Sequence, residues 1–416
     1  MNDHAALKPV GADDRIQSMD VLRGFALLGI LLMNIEGMVG PLFAALSGVD
    51  PALTGADRTA DTLIYLFVQG KFFPLFSLLF GMGFAVILMR TADAGRPFSG
   101  TYLRRVLALL AIGLAHALLV WSGDILVTYA LLGLLMLLFF RRTPVSRLPK
   151  WGIALALFPC VLMVAGGLAG SAMQMQPGSA AEFRAAMDEQ AAEMAALIEA
   201  ERVAYGSGTF AEATAQRLQD FWVMLGMLPM FGLFILGLFL IGAWFARSGA
   251  IARPQEHAKV FARLRWIVFP IGLALTLASW RLEPTMDFGR MDARAMSAHA
   301  MQMLGGGMMM LGYVAWVVRA LQGSSFAGLF GWLAPAGRMA LTNYLMQSLV
   351  MTWIFYGYGL GYFEQLSRAW QPLLVFAFFA LQVALSHWWL SRFRFGPAEW
   401  LWRWATYGHR PRMRVA

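Results

Sequence analysis

The chain has 416 residues, of which 59% are hydrophobic and only 14% charged, and its formal net charge is +9 at pH 7. A soluble domain could not bury so large an apolar share, so the composition excludes an ordinary water-soluble globular protein. The single cysteine, Cys160, excludes an intrachain disulfide and a multi-cysteine metal site.

Apolar runs of about 20 residues recur along the chain, which is the length that an α-helix needs to cross the hydrocarbon core of a bilayer. We predict an all-α, polytopic transmembrane helix bundle with about ten spans. The first apolar run follows a polar stretch and is of span length, which predicts an uncleaved signal anchor. The predicted spans cover residues 19–39, 72–89, 103–121, 125–140, 151–172, 221–245, 264–280, 299–318, 333–355 and 373–390.

Most of the 33 basic residues fall in segments that share one side of the membrane when successive spans alternate in direction. Lys and Arg near span ends are retained in the cytoplasm, so both termini are predicted to be cytoplasmic. The basic residues are scattered over many span ends rather than gathered on one polar domain. They therefore indicate contact with anionic membrane lipids and not with nucleic acid.

The longest outer segment, residues 173–220, is rich in Ala and Glu and carries apolar residues at helical spacing. Gly206 and Gly208 interrupt it, and a second helical stretch from Phe210 continues into the sixth span. This pattern predicts an amphipathic helical hairpin on the outer face. No large soluble domain is apparent in the sequence, so residues 1–416 are predicted to form a single membrane domain, with 391–416 as a cytoplasmic basic tail.

Ionisable residues inside spans cost roughly 2.5–3.5 kcal/mol each on insertion scales and usually face a partner or a wet cavity. Asp20 and Arg23 are three residues apart on the first span, and form either a local capping ion pair or an anchor for an anionic ligand. Asn34 and Lys71 are candidates for a cavity wall nearer the outer boundary. Lys71 is shallow enough to be expected to snorkel to the headgroups.

His116 lies five residues before the turn at 121–124 that joins the third and fourth spans. At helical rise this places it about 7–8 Å into the membrane, level with Thr128 or Tyr129 on the fourth span. A hydrogen bond from His116 to either residue is the structural interpretation. The functional interpretation makes His116 a general base whose tautomer is fixed by Asp124, with Tyr129 lining the adjacent cavity.

The ninth predicted span contains an unusually polar stretch at 337–348. Asn343 and Gln347 are four residues apart on one face, and line either an interhelical hydrogen-bond seam or a cavity. Arg338 lies one to two turns nearer the cytoplasm. The sequence contains no phosphate loop, zinc motif or catalytic serine elbow, so we predict neither a bound metal nor a bound cofactor.

Several motifs resemble those of the YeiB-like integral membrane family, whose shared region is a domain of unknown function. The resemblance covers nearly the full chain. The motifs are SMDVLRGFALLGI at 18–30, GKFFPLFSLLFG at 70–81, WSGDIL at 121–126 after His116, YGSG at 205–208, GRMALTNYLMQS at 337–348 and FGPAEWLWR at 395–403.

The Asp-x-x-Arg-Gly opening of the first span is also distantly similar to the transmembrane acyltransferase group, which includes heparan glucosaminide acetyltransferases and bacterial enzymes that modify envelope sugars. The resemblance implies that a cytoplasmic acyl-CoA co-substrate passes its acyl group through the bundle to an outer glycan, lipid or amine. It would bring Asp20, Arg23 and Arg338 near the donor, with His116 and Asp124 at the transfer point, although the choice of His116 rests on its depth.

We therefore expect a bacterial inner-membrane protein that acts as an acyltransferase. A transporter or exporter of a small solute or lipid is the first alternative, because the same buried polar residues could line a substrate path. A non-catalytic membrane protein is the second. The sequence does not indicate an oligomeric state.

Overall fold

The computed structural model describes residues 16–95 and 97–415. Residues 1–15, which belong to the segment predicted to start in the cytoplasm, lie outside the described residues, as do Arg96 and Ala416. Within the described ranges the chain forms helices, and its β contacts are limited to isolated bridges between Gly48 and Thr285 and between Phe393 and Arg414.

The α-helices of the described residues follow one another with short connections. In chain order they are α1 Gln17–Asn34, α2 Glu36–Val39, α3 Leu42–Ala45, α4 Gly55–Phe67, α5 Phe72–Asp93, α6 Phe98–Leu119, α7 Leu126–Leu135, α8 Leu148–Met175, α9 Ala180–Gly206, α10 Phe210–Arg247, α11 Ala258–Arg263, α12 Phe269–Leu282, α13 Ala293–Gln322, α14 Ser324–Gly331, α15 Ala334–Arg338, α16 Ala340–Phe355, α17 Gln371–Leu390 and α18 Pro397–Tyr407. Two π-helical stretches, Met136–Phe140 and Leu264–Val268, extend α7 and α11, and a 3₁₀ turn at Val145–Arg147 precedes α8.

Seven helical segments of the described chain are long and apolar enough to cross a bilayer. They are Gly55–Asp93, Phe98–Leu119, Val145–Met175, Phe210–Arg247, Ala258–Leu282, Ala293–Gln322 and Gln371–Leu390. The prediction of an all-α, multi-pass membrane protein is confirmed. Three further predicted spans, at 19–39, 125–140 and 333–355, correspond to α1, to α7 with its π-helical extension and to the α15–α16 pair. These segments are shorter or more polar than the other seven. The count of ten spans therefore stays a prediction.

The bundle has central and peripheral helices. The apolar windows of the α4–α5 segment and of α13 are each 56% buried, whereas that of the α11–α12 segment is 17% buried. Large apolar side chains such as Trp266, Ile267 and Ile271 are exposed on this peripheral segment. In a membrane such side chains contact lipid tails, which are as apolar as the protein interior.

Two glycines let α5 and α10 pack with their backbones nearly touching. A Cβ atom on Gly81 would lie 1.9 Å from the carbonyl oxygen of Phe239, and a Cβ on Gly242 would lie 1.9 Å from the carbonyl oxygen of Leu78. Small residues at such contacts are the usual means by which membrane helices approach closely. α5 and α10 therefore form a tightly packed pair at the centre of the bundle.

A second pair of glycines brings α1 against α15. A Cβ on Gly24 would lie 2.2 Å from the carbonyl oxygen of Leu333, and a Cβ on Gly337 would lie 1.8 Å from that of Asp20. Arg23 and Arg338 are the direct neighbours of these glycines in the chain. The close contact therefore brings two arginine-bearing segments together.

The prediction that residues 333–355 form one continuous helix is wrong. α15 ends at Arg338, Met339 lies in a turn, and α16 begins at Ala340. The break is stabilised by the carboxylate of Glu399 on α18, which caps the start of α16. α18 itself lies in the segment predicted as a basic tail, and it packs on α6 and α16.

The segment before the sixth span consists of two helices, α9 and α10, separated at 207–209. Thr209 and Glu212 form a capping box at the start of α10, in which the Glu212 carboxylate accepts from the Thr209 N–H at 2.7 Å. Capping satisfies N–H groups that have no partner inside the helix. The local sequence therefore explains why the chain starts a new helix here.

We expect Gly81→Ala to lower the melting temperature of the detergent-purified protein. The new methyl group would collide with the Phe239 carbonyl, and overpacking of this kind costs typically 1–3 kcal/mol. Gly83→Ala on the same helix is the matched control, because a Cβ there meets nothing within 4 Å and alanine favours a helix. Equal melting temperatures for the two variants would contradict the proposed close packing.

Candidate functional site

A cavity of about 220 Å³ lies between α1, α5, α6, α7, α15, α16 and α18. It has a cationic end near α18 and an apolar part that continues toward the start of α7. The residues that line it are Arg23, Ile30, Phe76, Leu79, Phe80, Gly83, Phe84, Tyr102, Arg105, Leu109, Ile125, Leu126, Tyr129, Gly337, Arg338, Ala340, Leu341, Tyr344, Glu399, Trp402 and Arg403.

Four arginines line the cationic end, and each comes from a different helix. Arg23 comes from α1, Arg105 from α6, Arg338 from α15 and Arg403 from α18. The only acid on the described wall is Glu399. The cavity therefore carries an excess of positive charge that favours an anionic ligand.

The contacts among the arginines of the cationic end leave the Nε–H of Arg338 without an acceptor among the described residues. Arg23 donates to Asp20 at 2.9 Å, and the Arg105 guanidinium lies 3.5 Å from the centre of the Trp402 ring. Burial lowers the pKa of Arg403 below its ordinary value. The Nε atom of Arg338 is buried and has no hydrogen-bond partner among the residues that the structure describes. An anion would supply the acceptor that the Arg338 Nε atom lacks.

Glu399 joins α18 to the start of α16 at the cationic end of the cavity. Its carboxylate accepts hydrogen bonds from the N–H groups of Leu341 and Thr342 at 2.6 and 3.1 Å, and from the Thr342 hydroxyl at 2.6 Å. The same hydroxyl accepts from the Ala398 N–H at 3.0 Å. These contacts satisfy the first N–H groups of α16 and fix α18 beside them.

Three tyrosines line the cavity wall, namely Tyr102, Tyr129 and Tyr344. The Tyr129 hydroxyl donates to the Phe73 carbonyl at 2.9 Å and contacts the Ser77 hydroxyl at 2.9 Å. The Tyr102 hydroxyl is buried and lacks a hydrogen-bond partner in the described part of the chain. Tyr129, one of the residues predicted to line a cavity, lies on this wall.

His116 and Asp124 form a buried pair at the α6–α7 hairpin. The Nδ1 atom of His116 lies 2.8 Å from Oδ1 of Asp124, and Oδ2 of Asp124 accepts from the Val127 N–H at 2.8 Å. The structural alternative of a hydrogen bond from His116 to Thr128 or Tyr129 is wrong, because the turn folds Asp124 back over the imidazole. With Nδ1 bonded to the carboxylate, Nε2 of a neutral imidazole is left as an acceptor.

Tyr344 separates this pair from the cavity. Its ring lines the cavity wall, and its centre lies 5.2 Å from the centre of the His116 ring. His116 is 3% exposed, and its Nε2 atom has no partner among residues 16–95 and 97–415. The imidazole thus lies one aromatic ring away from the cavity with an unused acceptor.

Asn343 and Gln347 form a seam between α16 and α17 and are absent from the cavity wall. Asn343 donates to the Ser386 hydroxyl at 3.0 Å, and Gln347 donates to the side-chain oxygen of Gln382 at 2.9 Å. Gln382 in turn donates to the Asn343 carbonyl at 3.0 Å. Of the two interpretations of this face, the structure has the interhelical seam, because α17 supplies polar partners at matching positions.

Lys71 does not snorkel, so that expectation is wrong. Its side chain is fully buried, and its ammonium donates to the Tyr65 carbonyl at 2.8 Å because α4 folds over it. Asn34 ends α1 and is half-buried. Neither residue belongs to the cavity wall, so the structure brings together Arg23, Arg338 and Tyr129 but not Lys71 or Asn34.

Comparison with known proteins gives the family. Residues 245–409 match a family described as "Protein of unknown function (DUF418)". The chain is 34% identical to the uncharacterized protein YxaH of Bacillus subtilis (strain 168), over 97% of each chain. It is 31% identical to the uncharacterized protein YeiB of Escherichia coli (strain K12), over 94% of this chain and 96% of that one. The chain belongs to the YeiB-like DUF418 family.

The chain is also 26% identical to the uncharacterized 39.9 kDa protein in the amylase 3' region of Bacillus acidopullulyticus, over 97% of each chain. All three relatives therefore match this chain almost from end to end.

Sequence reasoning missed several residues of the site in this YeiB-like protein. Arg105, Glu399 and Arg403 line its charged end, and Tyr102 and Tyr344 line its wall. Glu399 and Arg403 lie in the family motif at 395–403, and that motif was the available signal. Their position in a segment rich in arginine instead favoured the interpretation of a solvated tail.

We expect Glu399→Ala to release α18 from the start of α16. The change removes three hydrogen bonds to a carboxylate, each worth roughly 1.5–3 kcal/mol, and leaves the first N–H groups of α16 without a partner. A Thr406→Cys reporter in a Cys160→Ala background should then react faster with a maleimide, because Thr406 is 2% exposed.

The matched control for this experiment is Glu256→Ala, which removes an exposed carboxylate paired with Arg253. Its labelling rate should equal that of the parent. An unchanged rate in Glu399→Ala would contradict the role of Glu399 as the clamp on α18.

Proposed function

We propose that this protein is an inner-membrane acyltransferase that moves an acyl group from a cytoplasmic acyl-CoA to an acceptor at the outer face. The observation that carries the proposal is one cavity with four arginines at one end and, behind Tyr344, the His116–Asp124 pair near the other. Phosphates are the natural partners of clustered arginines. The apolar part of the cavity is suited to bind the acyl chain and the narrow pantetheine arm of coenzyme A that carries it.

The dimensions agree with this assignment. Arg105 and His116 are eleven residues apart on α6, which corresponds to about 16 Å along the helix axis. The extended arm of an acyl-CoA can cover such a distance while its phosphates stay with the arginines. The volume of about 220 Å³ is below that of drug-sized sites, so the nucleotide would remain outside the cavity.

The chemistry needs a base and a path for one proton. The acceptor hydroxyl or amine loses its proton to Nε2 of His116 as its oxygen or nitrogen bonds to the acyl carbon. The bond between that carbon and sulfur then breaks, and the thiolate takes the proton back from the imidazolium. Asp124 holds the imidazole in place and stabilises its charged form, and Tyr344 must move aside for the thioester to reach it.

A transporter is the second candidate, and the break between α15 and α16 favours it. Interrupted helices with free ends near a binding site are a recurrent feature of secondary transporters. Here the start of α16 is occupied by Glu399, and Arg338 precedes the break. In this alternative the cavity would hold an anionic solute, and the His116–Asp124 pair would carry protons.

We expect Arg105→Gln to weaken acyl-CoA binding to the protein in nanodiscs by about 10- to 100-fold. The loss of one charged hydrogen bond, roughly 1.5–3 kcal/mol, corresponds to this factor. Arg142→Gln should bind as the parent does, because Arg142 is exposed and lies off the cavity wall. His116→Gln should keep binding while acyl release to an added acceptor falls by about 10²- to 10⁴-fold.

Two outcomes would count against acyl transfer. Absence of acyl-CoA binding at low salt would remove the donor site. Binding that survives in all three variants together with uptake of a solute into proteoliposomes, lost in Arg105→Gln, would favour the transporter.

The orientation has its own test. A green fluorescent reporter folds only in the cytoplasm, whereas alkaline phosphatase is active only outside it. We expect fluorescence, and no phosphatase activity, from fusions after Tyr407, and the reverse from fusions at Pro177, in the segment between α8 and α9. The opposite pattern would invert the proposed direction of transfer.

A further inference from the structure

A second polar cluster lies beside the α6–α7 hairpin, where α9 meets α10. Glu201 of α9 and Asp220 of α10 are both fully buried. The two carboxyl groups face each other across the α9–α10 contact, because Asp220 accepts from the hydroxyl of Tyr205, which lies four residues after Glu201 on the same face of α9. Neither forms an ion pair with a described lysine, arginine or histidine. Two adjacent buried carboxylates cannot both be ionised without a large energetic cost.

The donors around the pair are unequally distributed. Asp220 accepts from the Tyr205 hydroxyl through Oδ2 and from the Gln216 amide through Oδ1 at 2.9 Å. Oε2 of Glu201 accepts from the Phe43 N–H at 3.1 Å. Oε1 of Glu201 is buried and has no donor among the residues that the structure describes. Oε1 of Glu201 is therefore the one oxygen of the two carboxyl groups that receives no hydrogen bond from a described donor.

The charges of the cluster also indicate that one of the two carboxyl groups carries a proton. Arg217 is fully buried on α10, three residues before Asp220, and it donates to the Tyr358 hydroxyl at 2.9 Å. One buried cation balances one buried carboxylate. With a proton on Glu201 the cluster is neutral, and without it the cluster carries an uncompensated negative charge in a medium that solvates charge poorly.

The geometry points to a proton-binding site in which Glu201 holds a proton on Oε1 and donates it to Asp220, so that the shared proton fastens α9 to the bundle. This site is independent of the proposed acyl transfer. It lies beside the hairpin of the His116–Asp124 pair, since the Ser122 hydroxyl is 3.5 Å from that of Tyr205.

The other titratable groups that face the pair come from α9, α10 and the segment after α16. They are Tyr205, Arg217, Tyr356 and Tyr358, and the Tyr205 and Tyr356 rings stack with their centres 4.7 Å apart. α3 contributes backbone N–H groups to the site and no charged side chain. The pH response of the cluster therefore comes from the proton shared by Glu201 and Asp220, because the ordinary pKa values of tyrosine and arginine side chains lie far above neutral pH.

The direction of the pH effect follows from burial. Burial, and then the charge of Asp220, raise the pKa of Glu201 above its ordinary value. The folded state therefore binds the proton more tightly than the unfolded chain does. The stabilisation is complete at pH values below the ordinary carboxyl pKa and is lost as the pH rises through the raised value. α9 should be held most firmly in acid and loosen in alkali.

Infrared difference spectroscopy tests the proton directly. The detergent-purified protein at neutral pH should show the carbonyl stretching band of a protonated carboxyl group, and Glu201→Gln should remove part of that band. Glu189→Gln, an exposed position on the same helix, should leave it intact. A spectrum of Glu201→Gln that superimposes on the parent in this region would overturn the proposal.

Hydrogen exchange of the unmodified protein gives an independent test that needs no variant to fold. After correction for the intrinsic rate at each pH, the amides of α9 should lose at least about tenfold of their protection between mildly acidic and alkaline pH. Protection in α13 should stay constant over the same range. Glu201→Gln, whose amide can donate to Asp220 as the acid does, should make α9 protection independent of pH. Protection of α9 that does not change with pH in the parent would overturn the proposal.

Discussion

A polar group buried in a membrane protein must find its partner within the protein, because the hydrocarbon core offers none. This constraint explains why the polar residues of this bundle occur in compact groups joined by hydrogen bonds. The α16–α17 seam of amides, the Glu399 clamp and the His116–Asp124 pair each satisfy groups from two different segments. Each group therefore also fixes the relative position of the helices that supply it.

Of the eight buried side-chain atoms without a hydrogen-bond partner among the described residues, six lie around two places, and the other two, on His299 and Gln302, lie on α13. Tyr102, Tyr344 and Arg338 present unpartnered atoms at the cavity, and Nε2 of His116 lies just behind it. Glu201 and Arg217 each present one at the α9–α10 contact. In a protein that otherwise pairs its buried polar atoms, such positions are where a substrate, an ion or a proton is expected to bind.

The helical character, the spans with strong apolar periods and the break before Phe210 could be predicted because each depends on neighbours in the chain. The pairing of His116 with Asp124 was also accessible, since only a tight turn separates the two residues. Burial of Lys71 could not be predicted, because it depends on α4 folding back over it. The role of Glu399 was hidden for the same reason, since its partners lie 57 and 58 residues away in the chain.

The close approach of Gly24 and Gly337 also has an electrostatic consequence. It brings the segments of Arg23 and Arg338 to the wall of a small cavity that Arg105 and Arg403 share. Like charges confined in this way repel one another, and the repulsion is weakened by salt and removed by a bound anion. We therefore expect the protein to be least stable in dilute buffers of weakly binding anions, and we expect multivalent anions to protect it during purification.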